Sequence, residues 1–155
     1  MSPKKPVVAV LMGSKSDMPV MERAFRALEG FEIPYSTHVI SAHRNPKKVR
    51  DFAGSALRRG LKVIIAGAGM AAHLAGVIAS ETTLPVIGVP LAGSALDGVD
   101  ALYATVQMPS GVPVATMAIG EAGAHNAAIL AAEILALQNP ELQKRLRSYK
   151  KSLAG

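Results

Sequence analysis

VVAVLM, residues Val7 to Met12, decides the fold. A strand with one face in water alternates apolar and polar residues. This run does not alternate, so both its faces are buried, as in a parallel sheet with helices packed on either side. Val63 to Ala66 (VIIA), Leu84 to Val89 (LPVIGV) and Val112 to Ile119 (VPVATMAI) repeat the pattern, and Thr37 to Ile40 adds a shorter strand-like run. Helical patterns fill the gaps between them. Asp17 is placed to cap a helix through Leu28 whose inner face carries Met21, Phe25 and Leu28. Asn45-Pro46 reads as an N-cap followed by proline at the first helical position, and that helix stops at Gly60. Met70 to Ser80 and Gly123 to Leu137 are Ala-rich helices, and Asn139-Pro140 opens a last one.

The order β-α-β-α-β-α-β-(short α)-β-α-α predicts a three-layer α/β domain. Its sheet is doubly wound, parallel and five-stranded, with the flavodoxin-like order 2-1-3-4-5. A length of 155 residues suits one domain, residues 1–155, with its core in 7–137 and a C-terminal helical extension over 139–152. The small side chains of the Ala-rich helices point to close packing against other subunits.

Composition narrows the function. The longest wholly apolar stretch lies between Lys62 and His73, short of the roughly 18 residues a membrane-spanning helix needs. Pro3 to Pro6 leads straight into a strand, so no signal peptide is expected. Cysteine is absent, which excludes disulfides and thiolate metal sites and fits the cytoplasm. The net charge of +6 raises nucleic acid as a partner, but many basic residues gather in Gln143 to Lys151, and tryptophan is absent. A solvated basic helix explains that pattern without nucleic acid.

In such a sheet, ligands sit beyond the carboxyl ends of the strands, at the switch point between the first and third. The loops there are Gly13 to Asp17 (GSKSD) and Gly67 to His73 (GAGMAAH), with Ser41 to Pro46 (SAHRNP) beside them. GSKSD lacks the spacing of a nucleotide triphosphate loop. Its hydroxyls and N–H groups at a helix start still suit a phosphate, and Asp17 suits either a cap or sugar hydroxyls. GAGMAA matches a dinucleotide fingerprint, but no carboxylate ends the following strand at Gly88 to Leu91, so that cofactor is not expected. Gly67 and Gly69 would instead let backbone approach a flat ligand. In SAHRNP, Arg44 offers a bidentate anion site and His43 the side-chain type that changes charge near neutrality. His73 either lines the same crevice or satisfies a backbone group, and His38 and His125 read as structural. No metal-ligand spacing occurs, so no metal is expected. The residues alone describe a crevice for a phosphorylated, ring-bearing molecule beside a proton carrier.

GSKSD, SAHRNP, AGAGMAAHLAG, LPVIGVP and QMPSGVPVATMAIG, in this order from about Val7 to Leu137, resemble the N5-carboxyaminoimidazole ribonucleotide mutases of purine synthesis. GAGMAAHLAG is similar to the loop of the bacterial mutase class rather than to that of carboxylases using free carbon dioxide. The resemblance implies a flavodoxin-like cytoplasmic homo-octamer without cofactor or metal, acting on a small ribonucleotide. It implies that carboxylate moves from the exocyclic nitrogen to ring carbon C4, by way of carbon dioxide held in the pocket. By the same resemblance His43 shuttles the proton, Ser16 and Arg44 hold the phosphate, and Ser14 supports that loop. Asp17 takes the ribose hydroxyls, Ser41 positions the base and Gly69 approaches the carboxylate through its backbone. His73 and Leu74 wall in the carbon dioxide. The chain differs from the family pattern in having Met70 for Gly, Ala75 for Pro, Met18 for Trp and Asn45 for Thr; Met70 is placed to reshape the carboxylate pocket. A carboxylase drawing on bulk carbon dioxide and a non-catalytic nucleotide-binding module are the rival readings.

Overall fold

The computed structural model describes residues 5–154, so Pro3 and the extreme ends of the expected domain lie outside the described residues. Strands β1 (Val8–Met12), β2 (Tyr35–Val39), β3 (Val63–Gly69), β4 (Val86–Leu91) and β5 (Ala115–Thr116) form one sheet. Its order is β2-β1-β3-β4-β5, and every neighbouring pair is parallel. β1 lies inside the sheet, with Val8 opposite Tyr35 on one edge and Val63 on the other. All five of its residues are buried, as an unalternating apolar run requires.

The helices are α1 (Met18–Gly30), α2 (Pro46–Ala56), α3 (Leu74–Glu81), α4 (Val99–Val106), α5 (Glu121–Ala136) and α6 (Pro140–Leu153), with a 3-10 turn at Lys15–Asp17. Alternate residues of β1 serve opposite faces of the sheet. Val8, Val10 and Met12 join the core formed with α1, α5 and α6. Ala9 and Leu11 join the core formed with α2 and α3. Truncating a fully buried leucine such as Leu11 to alanine would cost about 2–5 kcal/mol. In α5, Ala124, Ala127, Ala128, Ala131 and Ala132 are all buried within the chain, packed on α1 and the sheet. The alanines of this helix therefore serve internal close packing, which corrects the expectation that their small side chains face other subunits.

Several boundaries differ from the expected ones. The fifth strand pairs only at Ala115–Thr116 rather than over Val112 to Ile119. Pro113 has no N–H to give, and β5 is an edge strand with one neighbour. Beyond the paired residues the segment still follows β4, through Met117 N–H to the Gly88 carbonyl and Gly120 N–H to the Pro90 carbonyl, each at 2.9 Å. β4 begins after Pro85 and runs on to Leu91. α3 begins at Leu74, not Met70, because Met70 has a left-handed φ of 55° that a right-handed helix excludes.

Two caps also move. Asp17 makes no cap bond to α1; its carboxylate turns back to the N–H of Ser14, completing a capping box on the 3-10 turn. The Asn45 side chain makes no cap bond either, and the turn closes instead through the Asn45 N–H to the Ser41 carbonyl at 2.9 Å. Asn139 does cap α6, accepting from the Leu142 N–H at 3.1 Å.

The basic residues of α6 are spread around a packed helix rather than aligned. Lys144 pairs with Glu141, Arg145 with Glu32 and Lys150 with Glu133. Among the described residues no helix is long and apolar enough to cross a membrane.

Candidate active site

Parallel strands deliver their C-terminal loops to one edge of the sheet. The loops after β1, β2, β3 and β4 there enclose a cleft of about 630 Å³. Ser14, Ser16, Asp17, Ser41, His43, Arg44, Gly69, His73 and Leu74, the residues singled out from sequence, all line it. A second cleft, of about 690 Å³, opens at the opposite end of the sheet. Its Glu32 and Arg145 are bonded to each other at 2.8 Å, so they are not free to converge on a ligand.

The first loop is held by the hydroxyls and carboxylate it carries. Ser14 Oγ accepts from the Ser16 N–H at 3.3 Å and from the Ser16 hydroxyl at 2.8 Å. Asp17 Oδ2 accepts from the Ser14 N–H at 2.9 Å. Burial raises the Asp17 pKa, while N–H bonds from Ser14 and Gly13 and the Arg44 cation act to lower it.

The second loop is tied to the first. Arg44 donates its own N–H to Ser41 Oγ at 3.2 Å, and its Nη2 donates to the Gly13 carbonyl at 3.2 Å. The guanidinium is exposed at the cleft, with donors remaining for an anion. His43 reaches across to the third loop, where its Nε2 lies 2.8 Å from Nδ1 of His73. The two rings meet edge to face, with centroids 4.9 Å apart and planes at 82°.

Gly69 lines the cleft, and a Cβ there would press on the Leu91 carbonyl at 3.2 Å. Gly67 does not line it. That residue is buried, and a Cβ would strike the Met21 side chain, so its role is core packing rather than ligand approach. Met70 stands at the rim, 61% exposed. Ala75 is buried behind the site, and Met18 packs at the edge of the α1 core.

Ala92 and Gly93, after β4, also line the cleft and are not among the residues the sequence singles out. The rule that placed the other loops would have found them, because β4 is the next strand beyond β3. His38 and His125 lie elsewhere. His38 bonds Ser36 and packs on Phe52; burial, then the cations Arg59 and Lys48, lower its pKa. His125 bonds the Tyr149 hydroxyl at 3.0 Å. Among the described residues no three His, Asp or Glu side chains are grouped as a metal site.

Hydroxyl, N–H and guanidinium donors, the Asp17 carboxylate and two bonded imidazoles gathered around one cleft at the carboxyl ends of a parallel sheet define a class, a flavodoxin-like α/β enzyme. Residues 7–155 match the family model described as AIR carboxylase, and the chain belongs to that family. It is 54% identical over 153 residues to an N5-carboxyaminoimidazole ribonucleotide mutase of Pyrococcus horikoshii, covering 99% of this chain and 85% of that one. It is 54% identical over 145 residues to the mutase of the same name from Escherichia coli K12, covering 94% and 86%. The crystal structure of Treponema denticola PurE superposes with a TM-score of 0.85 at 33% identity, covering 96% of this chain and 92% of that one.

Proposed function

We propose that this chain is an isomerase of de novo purine synthesis. In this reading it converts N5-carboxyaminoimidazole ribonucleotide to 4-carboxy-5-aminoimidazole ribonucleotide. The observation that carries the proposal is the meeting of SAHR with GSKSD and GAGMAAH around one cleft, in a chain of this family. Arg44 and Ser16 take the phosphate, with Ser14 bracing the loop. Asp17 takes the ribose hydroxyls, Ser41 positions the base, and Gly69 lies against the carboxylate. His73 and Leu74 stand beside the carbon dioxide.

The N–C bond to the carboxylate breaks with its electron pair returning to nitrogen, which takes up a proton. The product is aminoimidazole ribonucleotide and carbon dioxide. Carbon C4 then attacks the carbon dioxide, and its own proton leaves as the ring regains aromaticity. One group must give a proton and then accept one, and His43 is that group. Confinement makes recapture effectively unimolecular, an advantage of several powers of ten.

Two further features belong to this reading. The chain works in the cytoplasm, where its charged substrate is retained. It assembles as a homo-octamer, for which an exposed apolar face offers contact area: Val99, Tyr103 and Val106 on α4, with Leu96 in the turn before it.

The test is isotopic. Unlabelled substrate turned over in ¹³C-bicarbonate with carbonic anhydrase should give product with little label at early times. Label entering as fast as product forms would replace this reading with a carboxylase drawing on bulk carbon dioxide. In parallel, His43→Asn should keep ribonucleotide binding but lose at least about 10²-fold in rate. A variant retaining more than about a tenth of the parent's activity would remove His43 as the shuttle, and absence of turnover in the parent would leave the cleft a binding module.

A further inference from the structure

His73 sits at the N-cap position of α3, yet it makes no cap bond there. Its Nδ1 is instead directed at His43 Nε2, 2.8 Å away. A neutral imidazole carries one donor and one acceptor nitrogen, so a bond between two rings requires one of each. That bond uses His43 Nε2 and His73 Nδ1, which leaves His43 Nδ1 and His73 Nε2 as the other ring nitrogens of the pair. Both side chains are exposed at the cleft, within reach of ligand and water.

We propose that His43 and His73 act as one proton-carrying unit, a neutral imidazole pair sharing a bridging proton, with a base at one free nitrogen and an acid at the other. The inference rests on the mutase reading above and gives His73 a different part from that of a wall. If His43 Nε2 holds the bridging proton, His43 Nδ1 is a lone pair and His73 Nε2 carries N–H. In the other neutral arrangement His73 Nδ1 holds the bridging proton, His43 Nδ1 carries N–H and His73 Nε2 is a lone pair. The two arrangements interconvert when the bridging proton shifts and the outer nitrogens lose one proton at one end and gain one at the other.

The two halves of the reaction call for the two states in turn. When the N–C bond breaks, a proton passes from one end of the pair to the exocyclic nitrogen. The bridging proton shifts, and water restores a proton at the other end. When C4 loses its hydrogen, the same transfers run in reverse. One proton enters from water and one returns, so the pair stays neutral and the count balances. A proton thereby crosses the wall of the cleft while carbon dioxide does not. Acting through His43, His73 is a positioning residue for this transfer.

Exposure makes His73 replaceable without opening the core. The direct readout is the scalar coupling across the hydrogen bond in ¹⁵N-histidine-labelled protein, recorded without substrate. We expect His43 Nε2 and His73 Nδ1 to be coupled in the parent and the signal to vanish in His73→Leu, which preserves an apolar wall. His73→Leu and His73→Gln should both lose on the order of 10²-fold in kcat with KM within about threefold, because glutamine can bond His43 but cannot pass a proton on. Uncoupled nitrogens in the parent, or His73→Gln turning over within about threefold of it, would overturn the pair and leave the mutase reading standing. A coupled pair in a chain without mutase turnover would overturn the functional reading and this role with it.

Discussion

The carboxylate of Asp17 faces two demands at once. Partial burial raises its pKa, so the folded chain holds the proton more tightly than the unfolded one. A raised carboxylate contributes fully to stability only below the ordinary value of 3.8, and that contribution is lost as pH rises through the folded pKa. Ionising this group in the folded chain therefore places a charge where burial works against it. Asp17→Asn retains an oxygen for the Ser14 N–H and removes that charge. We expect its Tm at pH 7 to equal or exceed the parent's, with any gain fading under acid, while ribonucleotide binding weakens. A clear fall in Tm at pH 7 would show that the charge stabilises the loop. At this scale the sequence was legible where side chains announce chemistry, as in His43, Arg44 and Asp17. Ala92 and Gly93 have no functional group to announce, so the loop after β4 does not stand out in the sequence. Gly67 illustrates the opposite error, since a glycine needed to admit Met21 looks the same in sequence as one needed to admit a ligand.

Among elements, the interior strands are the most readable, because their apolar runs are short, rich in β-branched residues and bounded by glycine or proline, which separates them from buried helices. β5 was over-read, as apolar content alone does not reveal that Pro113 and an edge position leave two paired residues. The start of α3 was hidden by the φ of Met70, a backbone state that the word MAAHLAG does not betray. α5 was placed within two residues at each end, yet its docking depends on a single position. A Cβ at Gly123 would overlap the carbonyl oxygen of Ala118 in the loop leading into the helix. Alanine is the better helix former by about 1 kcal/mol, whereas overpacking against fixed backbone costs typically about 1–3 kcal/mol or more. The second effect should win, so Gly123→Ala should lower the urea midpoint. A variant as stable as the parent would mean the loop can yield freely.

For the molecule as a whole, the order of strands followed from alternation and handedness, whereas assembly did not follow from alanine content. The better pointer is the exposed face of Val99, Tyr103 and Val106, with Tyr103 64% exposed. If this face joins copies in the proposed octamer, Tyr103→Asp should sediment as smaller species at micromolar concentration while keeping its far-UV circular dichroism. An unchanged sedimentation coefficient would move the interface elsewhere. The sheet order also bears on how the chain is made. β1 emerges from a ribosome before both of its neighbours, so neither of its edges is satisfied until β2 and β3 have followed. The inner face of α1, with Met21, Ala24 and Leu28, waits still longer for α5 to cover it. The loops after β1, β2 and β3 that line the cleft are thus translated while the helix beside them remains open on one side. The nascent chain carries adhesive apolar surface from the making of α1 until α5 has followed. Its yield in a cell should depend on elongation speed and chaperone supply more than the stability of the finished fold suggests.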